Sequence, residues 1–171
     1  MTDILRDPAK VLCDIIQAEL ELTNEQVLVY NQKFNIPTQP GLYVVVRYVS
    51  GRAYGGGSII TGTEGVTAMT ETQQLLMNAI YQIDLMSADE SARMRKEEVL
   101  MALQSLFAQQ QCELYQMNIA RLPQNFIDAS DIEGTARLTR FTATIVVNSI
   151  YEKTKSAPFF DTFQEPEMRV N

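Results

Sequence analysis

Leu75 to Met86, LLMNAIYQIDLM, alternates in character residue by residue. Its odd positions, Leu75, Met77, Ala79, Tyr81, Ile83 and Leu85, are all apolar, and its even positions include Asn78, Gln82 and Asp84. Period-two alternation of this length predicts a strand with one buried face and one wetter face. The stretch Ser87 to Ser91 opens a helix directly after it. A long strand feeding a helix that folds back over it restricts the chain to folds that carry helices on a sheet.

The chain has 171 residues and is 46% hydrophobic, which suits one domain with an ordinary core. Its net charge is -7, the wrong sign for a surface that grips nucleic acid by neutralising phosphates. An acidic wall that DNA slides past without sticking remains compatible with that charge. Cys13 and Cys112 are the only cysteines, too few for a disulfide scaffold, and both read as reduced thiols. The sequence has no histidine, so the commonest general base and the commonest zinc ligand are missing. No apolar run approaches the ~18 residues of a membrane span. The start of the chain lacks a signal-peptide pattern, and the expectation is a soluble protein made in a cytoplasm, with no membrane partner.

Asp7-Pro8 predicts a helix start, because Asp caps well and Pro suits the first helical position. Val11, Leu12, Ile15, Ala18 and Leu22 then fall within an arc of ~120° on a helical wheel, and Thr23-Asn24 ends the element. Gln26 to Asn31 reads as a short strand, and Pro37 and Pro40-Gly41 break the chain. Leu42 to Val49 is apolar on both faces except for Arg47, as in a central strand. Ser50 to Gly65 is rich in glycine and predicts a long flexible hairpin or loop. Val66 to Gln74 leads into the alternating strand. A second helix is expected from about Asp89 to Phe107, with Val99, Leu100, Leu103, Leu106 and Phe107 on its inner side and Met94 and Met101 pointing the other way. Gln109 to Gln111 reads as linker, Leu114 to Ile119 as a short edge strand, and Phe126 to Gly134 as loop. Ala136 to Tyr151 is rich in Thr, Ile and Val and predicts the last strand. Beyond it, Glu152 to Asn171 holds two prolines and three phenylalanines and reads as an extended tail. The sum is an antiparallel sheet with two helices on one face.

Strand length points to assembly. Ala136 to Tyr151 spans 16 residues, or about 50 Å at ~3.3 Å per residue. A compact chain of this size has a diameter of roughly 40 Å. A strand that overruns its own core exposes unpaired backbone, and another subunit is the simplest cover. The alternative is that each long run is two shorter strands joined at a bulge.

No constellation for catalysis emerges. The cluster Gly51, Gly55, Gly56, Gly57 is followed by no Gly-Lys-Ser/Thr and no helix, which excludes a phosphate loop. A flexible hairpin tip fits it better, and Arg52, Tyr54, Gly56, Ile59 and Ile60 on that tip are candidates to line a pore or dock a partner. Asp84, Asp89 and Glu90 read as a wet strand position and helix-start residues rather than an acid–base pair. Asp128, Asp131 and Glu133 lack the spacing and closing Glu of a calcium loop. Without histidine no serine or cysteine triad can be built. No metal ligand set and no cofactor site is expected. Met94 and Met101 are candidates for a subunit contact. Phe159, Phe160 and Phe163 either fold back on their own core or dock onto a neighbour.

Three stretches together carry a family likeness: LYVVVRYVSGRAYGGGS, then TETQQLLMNAIYQIDLMS, then, after a helix, RLTRFTATIVVNSIYEKTK. In this combination, from roughly Leu5 to Phe163, the chain resembles the neck terminator proteins of tailed phages, within the tail terminator and tail completion group. The likeness lies in strand pattern and polar signatures, not in a catalytic motif. It implies a single α+β domain over residues 1–151 with a long hairpin, and an extended C-terminal arm over residues 152–171. It further implies a homo-oligomeric ring, by analogy hexameric, that caps the tail tube, ends its polymerisation and joins the tail to the head-tail connector protein. The tail tube protein, and in sheathed tails the sheath, would be its neighbours, and genomic DNA would pass through the lumen without specific binding. The expected location is the virion, after assembly in the host cytoplasm. A head-completion or tube-initiating virion protein, a cytoplasmic α/β adaptor and a carboxylate-only enzyme stay open as alternatives.

Overall fold

The computed structural model describes residues 6–30, 39–61, 69–123, 125–133 and 136–157. Its elements follow the order α1 (Pro8–Glu19), β1 (Val27–Val29), β2 (Tyr43–Thr61), β3 (Met69–Ser87), α2 (Ser91–Leu103), α3 (Leu106–Leu114), β4 (Met117–Arg121), β5 (Ile127–Asp128), β6 (Asp131–Glu133) and β7 (Ala136–Ala157). The fold is α+β. The sheet runs β1-β2-β3-β7-β4, and β5 and β6 also pair with β7.

Helix α1 starts as its sequence dictates. The Asp7 carboxylate accepts from the Ala9 N–H at 2.9 Å, and Pro8 occupies the first turn. Val11, Leu12, Ile15 and Ile16 are fully buried. Ala18, expected on that inner arc, is exposed, and Ile16 and Cys13 take the buried positions instead. The helix stops at Glu19, ahead of Thr23-Asn24, because Glu21 turns to φ 53°.

The sheet positions behind α1 are those that alternate in sequence. Val44 and Val46 on β2, Tyr81, Ile83 and Leu85 on β3, and Ile145 and Val147 on β7 join one hydrophobic cluster with Leu12 and Ile15, Val99 and Leu103, and Ala108 from the helices. Cross-strand register puts them side by side: Val46 faces Ile83, which faces Ala143. All three helices of the described residues therefore serve a single face, where two were expected. The extra one arises because the predicted second helix breaks at Gln104-Ser105. The Ser105 hydroxyl accepts from the Ala108 N–H at 3.0 Å, so it ends one helix and caps the next. Gln109 to Gln111 thus lies in a helix rather than a linker, and Leu106, expected inside, is exposed.

The sheet is mixed rather than purely antiparallel, because β1 runs parallel to β2, with Val27 level with Val44. Phe126 to Gly134 is not plain loop: β5 and β6 pair with the first half of β7. The glycine-rich segment follows the hairpin reading and not the loop reading, and it is far more regular than expected. β2 does not end at Val49 but continues as strand to Thr61, paired throughout with β3. Likewise β7 runs six residues past Tyr151 to Ala157, which absorbs the start of the expected tail.

Candidate assembly interface: a three-stranded arm

β3 and β7 pair without a register shift from Ser87 opposite Thr139 to Met69 opposite Ala157. β7 holds 22 residues, about 70 Å at ~3.3 Å per residue, against a compact-domain diameter of roughly 40 Å. The helices cover only its first half and the matching half of β3. Beyond Ser149 no described side chain of β7 is buried, nor is any of β3 before Ala79 or of β2 after Val46. The second halves of β2, β3 and β7 thus form a three-stranded antiparallel arm. It reaches about 30 Å past the core, counting ten residues at the same rise.

The glycines belong to this arm. β2 carries bulges between Tyr48 and Ser50 and between Ala53 and Gly55, and the run Gly55-Gly56-Gly57 follows the second. A Cβ on Gly56 would meet the Gln74 carbonyl oxygen at 2.9 Å, so the backbones approach too closely there for any side chain. Nothing lies within 4 Å of a Cβ placed on Gly57.

Polar side chains tie the strands together on both faces. On the helix side, Glu71 accepts from Ser58 at 2.7 Å and from Gln73 at 2.9 Å, and Lys155 Nζ lies 3.0 Å away. The Ser58 hydroxyl, then Gln73 and the Lys155 ammonium, hold the Glu71 carboxyl down to about 2. On the other face, Gln74 donates to Glu152 and Asn78 donates to Asn148 at 2.8 Å. That ladder continues onto the core as a network around Asp84. Its Oδ1 accepts from Thr142 at 2.7 Å and from Gln82 at 2.9 Å, its Oδ2 stands 3.1 Å from Arg140 Nη2, and Arg47 donates to Gln82 at 2.7 Å. Asp84 does point away from the helices, as its even position requires. It is not wet, however: Gln82, Thr142 and Arg140 close over it and leave it 4% exposed. Both of its oxygens are engaged, which is a structural arrangement.

The expected contact residues separate into groups. Arg52, Tyr54, Gly56, Ile59 and Ile60 all lie on the arm, in β2. Tyr54, Ile59 and Ile60 are 55%, 58% and 61% exposed. Ile59 and Ile60 point to opposite faces, since they are level with Thr72 and Glu71. Met94 and Met101 are exposed on the outer side of α2, over the core and not on the arm. Phe159, Phe160 and Phe163 lie outside the described residues. Leu75, expected on the buried face of its strand, is exposed because it lies on the arm, beyond the reach of the helices, and sequence reasoning missed Ile150 on the arm and Leu114 on α3 as exposed apolar positions. A groove of about 900 Å³ runs between α3 and β4, lined in part by Leu103, Cys112, Met117 and Leu122. Among the described residues no cluster of three or more His, Cys, Asp or Glu side chains is placed to hold a metal ion, and no helix is long and apolar enough to cross a membrane. Compared with known proteins, the chain matches no family model and no curated protein sequence.

Proposed function

We propose that this chain is a structural protein of a tailed-phage neck, a terminator that assembles as a ring, caps the tail tube and joins it to the head connector. The arm carries this reading. Among the described residues it leaves strand borders unpaired on both sides and apolar side chains exposed on both faces, which a lone domain avoids and a ring of copies would cover. The resemblance of the strand pattern to neck terminators supplies the setting. The mechanism is steric: one ring face fits the end of the tube, the other offers the head a different surface, and no further tube subunit can add. A net charge of -7 suits a lumen that repels phosphate and lets DNA pass. Light scattering of the purified chain, with negative-stain imaging, tests the reading. A closed ring with a central hole is the expected result, and a monomer at high concentration overturns it.

A further inference from the structure

An odd number of strands decides how the two borders of the arm are oriented. β2 and β7 each run antiparallel to β3, so they run in the same direction as each other. Past the second bulge, Gly55 to Thr61 lies level with Leu76 to Thr70, and the same stretch of β3 lies level with Ile150 to Ser156. Among the described residues neither stretch has a strand on its outer side. β1 pairs with β2 only from Val44 to Val46, and β4 follows β7 only to Ser149, with one more bond from the Ile150 N–H to the Gln116 carbonyl. The described residues therefore leave two borders of equal length, at equal height and on opposite sides, without a neighbouring strand.

The hydrogen-bond phase of each border can be read off. The Ile150 N–H points outward, so alternation turns the N–H and C=O of Glu152, Thr154 and Ser156 outward as well. On β2 the Val44 N–H points outward to Gln26, opposite the odd-numbered Leu85 of β3. Gly56, Ser58 and Ile60 stand opposite the odd-numbered Leu75, Gln73 and Glu71, so they present their backbone groups outward too. A parallel ladder needs this offset: each outward residue of one strand bonds the two residues that flank its level partner on the other.

We propose that copies of this chain join edge to edge through the arm, Gly55–Thr61 of one against Ile150–Ser156 of the next, in parallel and level register. Ser58 then stands beside the partner's Lys153, donating its N–H to the carbonyl of the partner's Glu152 and accepting from the N–H of the partner's Thr154. Side-chain bulk fits the same register. Gly55, Gly56 and Gly57 fall beside the partner's Ile150, the partner's Tyr151 and the partner's Glu152, and at Gly57, where nothing lies within 4 Å of a Cβ, the described chain leaves room for the larger neighbour. Ile60 falls beside the partner's Lys155, whose methylene stem covers apolar surface while its ammonium stays paired with the partner's Glu71. The contact uses different borders of the two copies, so it repeats from copy to copy and closes when the rotation permits. This inference rests on the ring reading only in that copies meet. It adds where they meet.

The test is a disulfide across the joint. Within one chain Ser58 and Lys153 flank β3, two strand spacings or about 9.5 Å apart, beyond the roughly 7 Å that a disulfide spans between Cα atoms. A Ser58→Cys/Lys153→Cys variant can therefore bridge only between copies. Under mild oxidation, most of it should run as a ladder of multiples on a non-reducing gel. The wild-type chain, with its native Cys13 and Cys112, should run as a single band. Ser58→Cys/Glu152→Cys, whose second thiol faces the other side of the sheet, should give no ladder. Circular dichroism and the thermal midpoint establish that each variant folds. Rings seen by light scattering without a ladder overturn the edge pairing and leave the ring reading standing. Dimers from Ser58→Cys alone also overturn it, since they mean that β2 meets its own copy. A folded monomer with no bridge overturns both.

Discussion

Arg140 Nη2 lies 3.1 Å from Asp84 Oδ2 on the sheet face opposite α1, α2 and α3, with Asp84 buried and Arg140 about a third open to water. Removing one member of a buried pair generally costs 3–5 kcal/mol. Water at Arg140 lowers that here, to about 2–3 kcal/mol for Asp84→Ala, which also strips acceptors from Thr142 and Gln82. The expected fall in Tm is roughly 5–10 °C for a chain of this size. Glu97→Ala, which removes an exposed partner of Lys96, should move stability by less than about 0.5 kcal/mol. Thermal unfolding of the two variants side by side checks the contrast.

The arm should be acid-resistant at Glu71. Its carboxyl sits at about 2 because Ser58, Gln73 and Lys155 all favour the charged form. A depressed acid contributes stability above its unfolded value, near 4.5, and loses it as pH falls through about 2. The Ser58–Glu71–Lys155 contacts should therefore persist at pH 3, where an ordinary glutamate is mostly protonated. Titration of the Glu71 side-chain carbon by NMR reads this directly. Lys155→Met and Ser58→Ala should each move the midpoint up toward the ordinary range. A midpoint near 4.5 in the parent chain would mean that the three contacts do not form.

Part of this architecture is legible in the residues. The alternation from Leu75 to Met86 assigns every side chain of β3 to its face, because period two has only one reading once a buried face exists. Asp7-Pro8 gives the start of α1 for similarly local reasons. Ser50 to Thr61 is different. Four glycines and three small polar residues have little strand preference of their own, and the segment is held extended by its pairing with β3, a partner distant in sequence. The break at Ser105 has no signal in the apolar period, which runs through it from Val99 to Phe107, and depends on the Ser105 hydroxyl capping α3. The face of Asp84 was readable and its burial was not, since burial depends on Arg140 and Thr142 arriving from β7.

Thiol chemistry should rank the two cysteines. Burial pushes the Cys13 thiol up to about 12 and raises that of Cys112 as well. At pH 8 a disulfide reagent should therefore react with Cys112 slowly and with Cys13 only after global unfolding. The thiolate fraction at Cys13 is about 10⁻⁴ of the total under those conditions, and α1 shields the sulfur from solvent. Two equivalents reacting rapidly with the folded chain would contradict the packing of α1 on the sheet.

Gly56 and Gly57 are neighbours with opposite expectations. A methyl group on Gly56 meets the Gln74 carbonyl oxygen, which belongs to backbone and cannot swing aside. Gly56→Ala should force β2 away from β3 locally, at about 1–3 kcal/mol, in the range of other overpacked sites. On Gly57 the same methyl meets nothing, and reduced freedom in the unfolded chain should make Gly57→Ala neutral or stabilising by up to about 1 kcal/mol. Amide hydrogen exchange along β2 and β3 separates the two. Gly56→Ala should speed exchange at Gly55, Gly57, Ile59 and Thr61, whose N–H groups face β3, while leaving Val45, on the same strand, protected by the helix-covered core. Gly57→Ala should slow it or leave it unchanged. Equal effects of the two substitutions would mean that the close approach at Gln74 does not set the path of the arm.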